Sequence, residues 1–210
     1  MNLAVFVGPR GRGSNLSALC TAISEGRLSA RIVLVLGTKP DAPALLRAAE
    51  IGLPTLVVDP RGDATEYGER LLGALAAAGA DTIALAGYLR RLPSSVVGAF
   101  PHRIVNIHPS LLPAFGGQGM YGEHVHRAVL EYGAKVSGCT VHFVDESYDT
   151  GPIILQRAVP VEENDTPETL AARILPAEHR LFAEALQLLA AGRLRVEGRI
   201  VRIYQGDDPA

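Results

Sequence analysis

The sequence predicts an α/β fold, an open twisted sheet that is mostly parallel in its N-terminal half. Two observations carry this. Short β-type runs alternate with helical stretches, the spacing of right-handed βαβ units on a parallel sheet. The runs are also apolar nearly throughout, as in Ile32-Val33-Leu34-Val35-Leu36, the pattern of strands covered on both faces.

Leu3–Val7 is the first strand. Gly8-Pro9-Arg10-Gly11-Arg12-Gly13-Ser14-Asn15 breaks it, and Leu16–Ser24 reads as a helix. Ala30–Leu36 is a second strand, Pro43–Ile51 a helix, Pro54–Val58 a third strand and Ala64–Ala78 a third helix. Thr82–Ala86 and Arg103–Ile107 complete the strands of the first half. The second half differs. A Pro/Gly loop over Pro113–Gly122 leads into a short helix, Glu123–Tyr132, then two longer strands, Val136–Val144 and Ile153–Val161. Pro167–Ala191 is a long amphipathic helix that Pro176 can interrupt. Leu194–Val201 reads as a hairpin turning at Glu197-Gly198, and Gly206–Ala210 is expected to fray.

The 210 residues suit a single domain, and a hydrophobic fraction of 48% is ample for a core. A net charge of −2 with no polybasic run argues against nonspecific binding to nucleic acid or an anionic membrane. No apolar run approaches the roughly 18 residues of a membrane helix, and the start is broken by Gly and Pro too early for a signal peptide. Cys20 and Cys139 lack metal-type spacing and read as buried free thiols in a reducing compartment. The expectation is a cytoplasmic protein acting on small molecules.

Four stretches carry chemistry. Asn106-Ile107-His108-Pro109-Ser110-Leu111-Leu112-Pro113 ends an apolar strand. Alternation along a strand puts Asn106 and His108 on one side, Ile107 on the other. An amide that can polarise a carbonyl, beside a group that shuttles protons near neutral pH, suits acyl or formyl transfer. The glycine loop Gly8–Asn15 follows a strand and opens a helix, so free backbone N–H groups can meet an anion there. Ser14 or Asn15 can add hydrogen bonds or cap the helix. The loop matches neither the P-loop nor the dinucleotide fingerprint. Val141-His142-Phe143 runs into an acidic turn ending Asp149-Thr150-Gly151-Pro152. Asp149 either caps its own backbone or serves the imidazole, and Asp145 with Glu146 reads as a solvated face. Leu85-Ala86-Gly87-Tyr88-Leu89-Arg90-Arg91-Leu92 ends a buried strand, where main-chain groups and apolar side chains can form a slot for a planar heterocycle.

In order and spacing these segments resemble the phosphoribosylglycinamide formyltransferase family of the formyltransferase superfamily, from Val5 to about Leu194. The resemblance rests on Gly13-Ser14-Asn15, Leu85–Arg90, Asn106–Pro113 and Asp149–Pro152. It implies the formyltransferase fold, a Rossmann-like open twisted sheet with an antiparallel C-terminal extension. The implied organisation is a nucleotide-binding half over about residues 1–107, a folate and catalytic half over about 108–192, and a terminal hairpin over about 193–204. The implied activity is transfer of the formyl group of 10-formyltetrahydrofolate, a co-substrate, to the amine of 5-phosphoribosylglycinamide in purine synthesis, with no metal and as a monomer or homodimer.

The resemblance also implies roles. Gly13, Ser14 and Asn15 would hold the substrate phosphate, and Glu178, beside His179, would belong to the same substrate's site. Leu89, Arg90, Arg91, Leu92 and Asn106 would bind folate. Asn106 would donate to the formyl oxygen, His108 would be the proton donor, Asp149 would raise the His108 pKa, and His142 would support them. The chain departs from the pattern at Ala64, where relatives often carry a basic residue, with Arg61 nearby. It also departs in the long Gly116–Gly122 loop and at basic Arg91. Rival readings are a formyltetrahydrofolate hydrolase, a methionyl-tRNA formyltransferase and a nucleotide-binding module. The first two would need added domains, which the sequence gives no reason to expect. The third leaves Asn106, His108 and Asp149 without a joint role.

Overall fold

The computed structural model describes residues 1–204, so the fraying expected at Gly206–Ala210 lies outside the described residues. The chain divides into two compact units, Met1–Val105 and Asn106–Ala210.

The first unit runs β1 (Asn2–Val7), α1 (Ser14–Ser24), β2 (Arg31–Gly37), α2 (Pro43–Glu50), β3 (Thr55–Val57), α3 (Ala64–Ala78), β4 (Thr82–Ala86) and α4 (Ser94–Ala99). Its strand order is β3-β2-β1-β4, and each pairing is parallel. Leu3 to Val7 are wholly buried, as strands covered on both faces must be. The order reverses direction at β1, which creates a topological switch point at the carboxyl ends of β1 and β4. Gly8 and Gly87 follow those two ends. A Cβ on Gly8 would lie 2.0 Å from the Gly87 carbonyl oxygen, so only glycine allows the approach. Asp63 caps α3, accepting from the N–H groups of Thr65 and Glu66, and Gly79 ends it in a left-handed conformation (φ 63°).

Three expectations need correction here. α1 is capped by Gly13 (φ 79°) with no side-chain cap, and Ser14 and Asn15 are its first residues rather than its caps. β3 is shorter than Pro54–Val58 and exposed throughout, as an edge strand can be. Cys139 is buried, but Cys20 is only half-buried, because Leu16, Leu19 and Ala22 take the inward face of α1. α4 has no counterpart in the sequence reading, since six residues are too few to show a helical period.

The second unit begins within β5 (Ile104–His108) and holds α5 (Glu123–Tyr132), β6 (Val136–Phe143), β7 (Ile153–Pro160), α6 (Pro167–Ala190), β8 (Leu194–Glu197) and β9 (Ile200–Ile203). The strand order is β5-β6-β7-β9-β8. The β6–β7 and β8–β9 pairs are antiparallel, whereas β7–β9 is parallel. The fold class is thus the mixed α/β open sheet that the sequence predicts, parallel first and antiparallel toward the C-terminus. Helix α6 is continuous, so Pro176 does not interrupt it. The missing N–H forfeits one hydrogen bond, at a cost of about 3 kcal/mol. Burial of Ile174, Ala177, Leu181 and Phe182 around the proline holds the helix together. No helix among the described residues is long and apolar enough to cross a membrane.

Candidate active site

The second unit gathers an amide, two imidazoles and a carboxylate. Asn106 and His108 leave β5 on the same side, as strand alternation requires. His108 is only 4% exposed. Its Nε2 lies 2.9 Å from the Phe115 carbonyl oxygen. A carbonyl only accepts, so Nε2 carries the proton and donates. The other nitrogen, Nδ1, lies 3.6 Å from Asp149 Oδ2. His142, at the end of β6, has Nδ1 at 2.7 Å from its neighbour's carbonyl, Phe143 O, which fixes its proton on Nδ1. In the neutral ring Nε2 is then an acceptor, and Asn106 Nδ2 donates to it at 3.1 Å. One amide proton of Asn106 is spent on His142, and the second remains for another acceptor. Asp149 Oδ1 stands 3.6 Å from His142 Nε2, so this carboxylate faces both rings.

Local backbone explains how Asp149 reaches this place. Its φ is +56°, a left-handed conformation that Asp tolerates better than most residues. Gly151 presses so close to β6 that a Cβ would lie 1.8 Å from Phe143 O, and Phe143 N donates to Pro152 O at 2.9 Å. Gly117 N donates to Asp149 Oδ2 at 2.9 Å, and a Cβ on Gly116 would lie 2.5 Å from Leu112. The turn itself is capped by Asp145, which accepts from Ser147 N and Thr150 Oγ1. Both bonds are exposed, so Asp145 caps the turn from a solvent-accessible position, and Asp149 is left to face the imidazoles.

Burial pulls the His108 pKa below its ordinary value. The Asp149 charge and the Phe115 carbonyl push it up, and the nearby His142 pushes it further down. Asp149 therefore acts in the expected direction, but burial outweighs it. Burial pushes the Asp149 carboxyl up, yet His142, the His108 charge and the Gly117 N–H together hold it below the usual carboxylate range. His126 on α5 is 3% exposed and also lowered, by burial and then by the His108 charge. Its Nδ1 has no hydrogen-bond partner among the described residues. Glu178 on α6 is 9% exposed, and its charge adds to the burial that pushes the Cys139 thiol up to about 12. The His179 pKa is lowered by burial.

The first unit carries two further features, both after strands at its switch point. The Gly8–Gly13 loop ends at the start of α1, which has no side-chain cap and no acidic residue in its first turn. After β4, a cavity of about 350 Å³ is lined by Ala64, Tyr67, Arg90, Arg91, Leu92 and Pro93. Leu89 does not line it and is 39% exposed. Tyr67 Oη meets Tyr88 Oη at 2.6 Å, and the guanidiniums of Arg70 and Arg90 lie 6.0 and 5.9 Å from the Tyr67 ring. Arg61, the basic residue nearby in sequence, is paired with Asp59 at 2.5 Å in an exposed position. Sequence reasoning missed Phe115 and Gly117, because their contributions are main-chain atoms. The adjacent glycines Gly116 and Gly117 were the available signal for close backbone approach.

The Formyl transferase family profile matches residues 1–186. Phosphoribosylglycinamide formyltransferase of Bacillus subtilis is 37% identical, over 89% of this chain and 93% of its own. The chloroplastic phosphoribosylglycinamide formyltransferase of Arabidopsis thaliana is 45% identical over 92% of this chain, which spans 66% of that relative's length. The crystal structure of glycinamide ribonucleotide transformylase 1 from Symbiobacterium toebii is 47% identical, covers 97% of this chain and 95% of its own, and superposes with a TM-score of 0.89. This chain belongs to the formyl transferase family and, within it, to the phosphoribosylglycinamide formyltransferases.

Proposed function

We propose that this chain transfers the formyl group of 10-formyltetrahydrofolate to the amine of 5-phosphoribosylglycinamide, a step of purine synthesis. The observation that carries this is the constellation in which Asp149 faces both His108 and His142 while His142 orients the Asn106 amide. The substrate amine attacks the formyl carbon, a C–N bond forms, and the carbonyl electrons move to oxygen. The second N–H of Asn106 meets that oxygen, and one such donor is worth roughly 3–4 kcal/mol. The new ammonium gives a proton to neutral His108. The intermediate collapses, the bond to folate N10 breaks with its electrons on nitrogen, and His108 returns the proton there. Asp149 steadies the imidazolium between the two transfers. Proton shuttling of this kind contributes on the order of 10²–10⁴-fold.

Gly13, Ser14 and Asn15 hold the substrate phosphate at the start of α1, which has no side-chain cap and no acid in its first turn. Glu178 binds the same substrate. Leu89, Arg90, Arg91 and Leu92 bind folate with Asn106, and the basic wall of the cavity beside Tyr67 supports an anionic ligand there. The protein works in the cytoplasm on small molecules alone, as a monomer or homodimer. The test is a spectrophotometric assay with 10-formyl-5,8-dideazafolate. Turnover that requires phosphoribosylglycinamide supports the transferase. Turnover with water alone makes the chain a hydrolase, and no turnover leaves it a binding module.

A further inference from the structure

A polar clamp outside the acid–base group has no role in the scheme above. Thr140 on β6 is wholly buried, and its hydroxyl is fully used: Oγ1 donates to Ser110 O at 2.6 Å and accepts from Leu112 N and Gln156 Nε2, each at 3.0 Å. The same Gln156 amide, on β7, donates to Leu112 O at 2.9 Å. Ser110, also wholly buried, donates to Ala114 O at 2.7 Å. These bonds tie the segment from Ser110 to Ala114 to β6 and β7. The next residue, Phe115, sits in a left-handed conformation (φ 54°) and presents its carbonyl to His108 Nε2. The clamp spans the only stretch of chain between His108 and the carbonyl that orients it.

We propose that Thr140 and Gln156 are positioning residues for His108. By pinning the 110–115 turn they keep the Phe115 carbonyl on Nε2–H, which leaves Nδ1, the nitrogen facing Asp149, as the atom that takes up and gives back the proton. This rests on the catalytic role assigned to His108 above. The step balances. The Nδ1 lone pair takes the ammonium proton, giving an imidazolium protonated on both nitrogens. Nδ1–H then goes to folate N10, and the starting tautomer returns with Nε2–H still on Phe115. The 3.6 Å gap between Nδ1 and Asp149 Oδ2 exceeds a hydrogen bond, so Nδ1 is not locked to the carboxylate. A ring tied at Nε2 and turned by a shifted loop would swing Nδ1 away from the reacting atoms.

Thr140→Val keeps the shape and removes all three hydroxyl bonds, Thr140→Ser keeps the hydroxyl, and Gln156→Leu removes the outer half of the clamp from an exposed position. Steady-state kinetics, thermal melts and ¹⁵N spectra of the histidine rings, with His108 assigned by comparison with His108→Asn, test the idea. In the parent, His108 Nε2 should read as protonated at every pH and Nδ1 should titrate. Thr140→Val should lose on the order of 10–100-fold in kcat with little change in either KM, and its His108 signals should move toward a tautomer mixture. Thr140→Ser should restore both, and Gln156→Leu should follow Thr140→Val to a smaller extent. If Thr140→Val does not fold, Gln156→Leu alone decides. Parental kcat in the clamp variants, or a loss that follows the melt while the His108 tautomer stays parental, overturns the positioning role. So does an unprotonated Nε2 in the neutral parent. An active His108→Asn would instead remove the catalytic reading itself, whereas an inactive one beside fully active clamp variants removes only this inference.

Discussion

Asn106 shows how one side chain is aimed by atoms the sequence does not advertise. Phe143 O fixes the proton of His142 on Nδ1, His142 Nε2 takes one amide proton of Asn106, and the other is left for an oxyanion. Asn106→Asp replaces that donor with a second carboxylate facing His142, as Asp149 does. It should lower kcat by about 10²–10³-fold or more with the fold intact by circular dichroism, and a parental rate would remove Asn106 from the reaction. Asp149 offers a second test. Its charge raises the His108 pKa against burial, so Asp149→Asn should lower that pKa further. Neutral His108 is the form that accepts the first proton. The acid limb of kcat/KM should therefore move to lower pH in the variant, on top of a reduced plateau. An acid limb that stays in place would mean that another group sets it.

The turn from Asp145 to Pro152 illustrates how much of an element can be read in advance. Asp149-Thr150-Gly151-Pro152 was recognisable as turn chemistry, and strand alternation placed Asn106 with His108. Which aspartate caps the turn was not readable, because either residue type suits the task; only the structure gives it to Asp145. Likewise α4 was too short to announce itself, and Pro176 was outweighed by the burial around it. Gly151 is a sharp probe of this element. A Cβ there would meet the Phe143 carbonyl, a backbone atom that cannot swing aside. Gly151→Ala should cost about 3 kcal/mol or more by denaturant unfolding and displace Asp149 with it. By contrast, Asp63→Ala removes the two hydrogen bonds of the α3 cap and should cost only about 1 kcal/mol. A Gly151→Ala protein as stable as its parent would contradict the close packing of this turn.

Stability of the whole molecule should depend on pH through its buried histidines rather than its carboxylates. His108 and His126 are 4% and 3% exposed, and burial lowers both pKa values, as it does for His179. In the unfolded chain each titrates near about 6.5. Above that pH both states bind the same number of protons at these rings, and stability is level. As pH falls below about 6.5 the unfolded chain takes up protons that the folded chain refuses, so stability drops, by up to about 1.4 kcal/mol per pH unit for each ring. Asp149 works elsewhere on the scale. Its pKa is held below the carboxylate range, so its contribution is intact down to about pH 4 and fades only below that. Calorimetric melts should therefore give a nearly constant Tm from about pH 8 to 7 and a falling Tm from about 6.5 to 5. His126→Asn should flatten that fall without moving its onset, because it removes one buried ring that refuses the proton and leaves the others. A Tm that rises on acidification through this window would mean these rings gain protons on folding, against the burial that surrounds them.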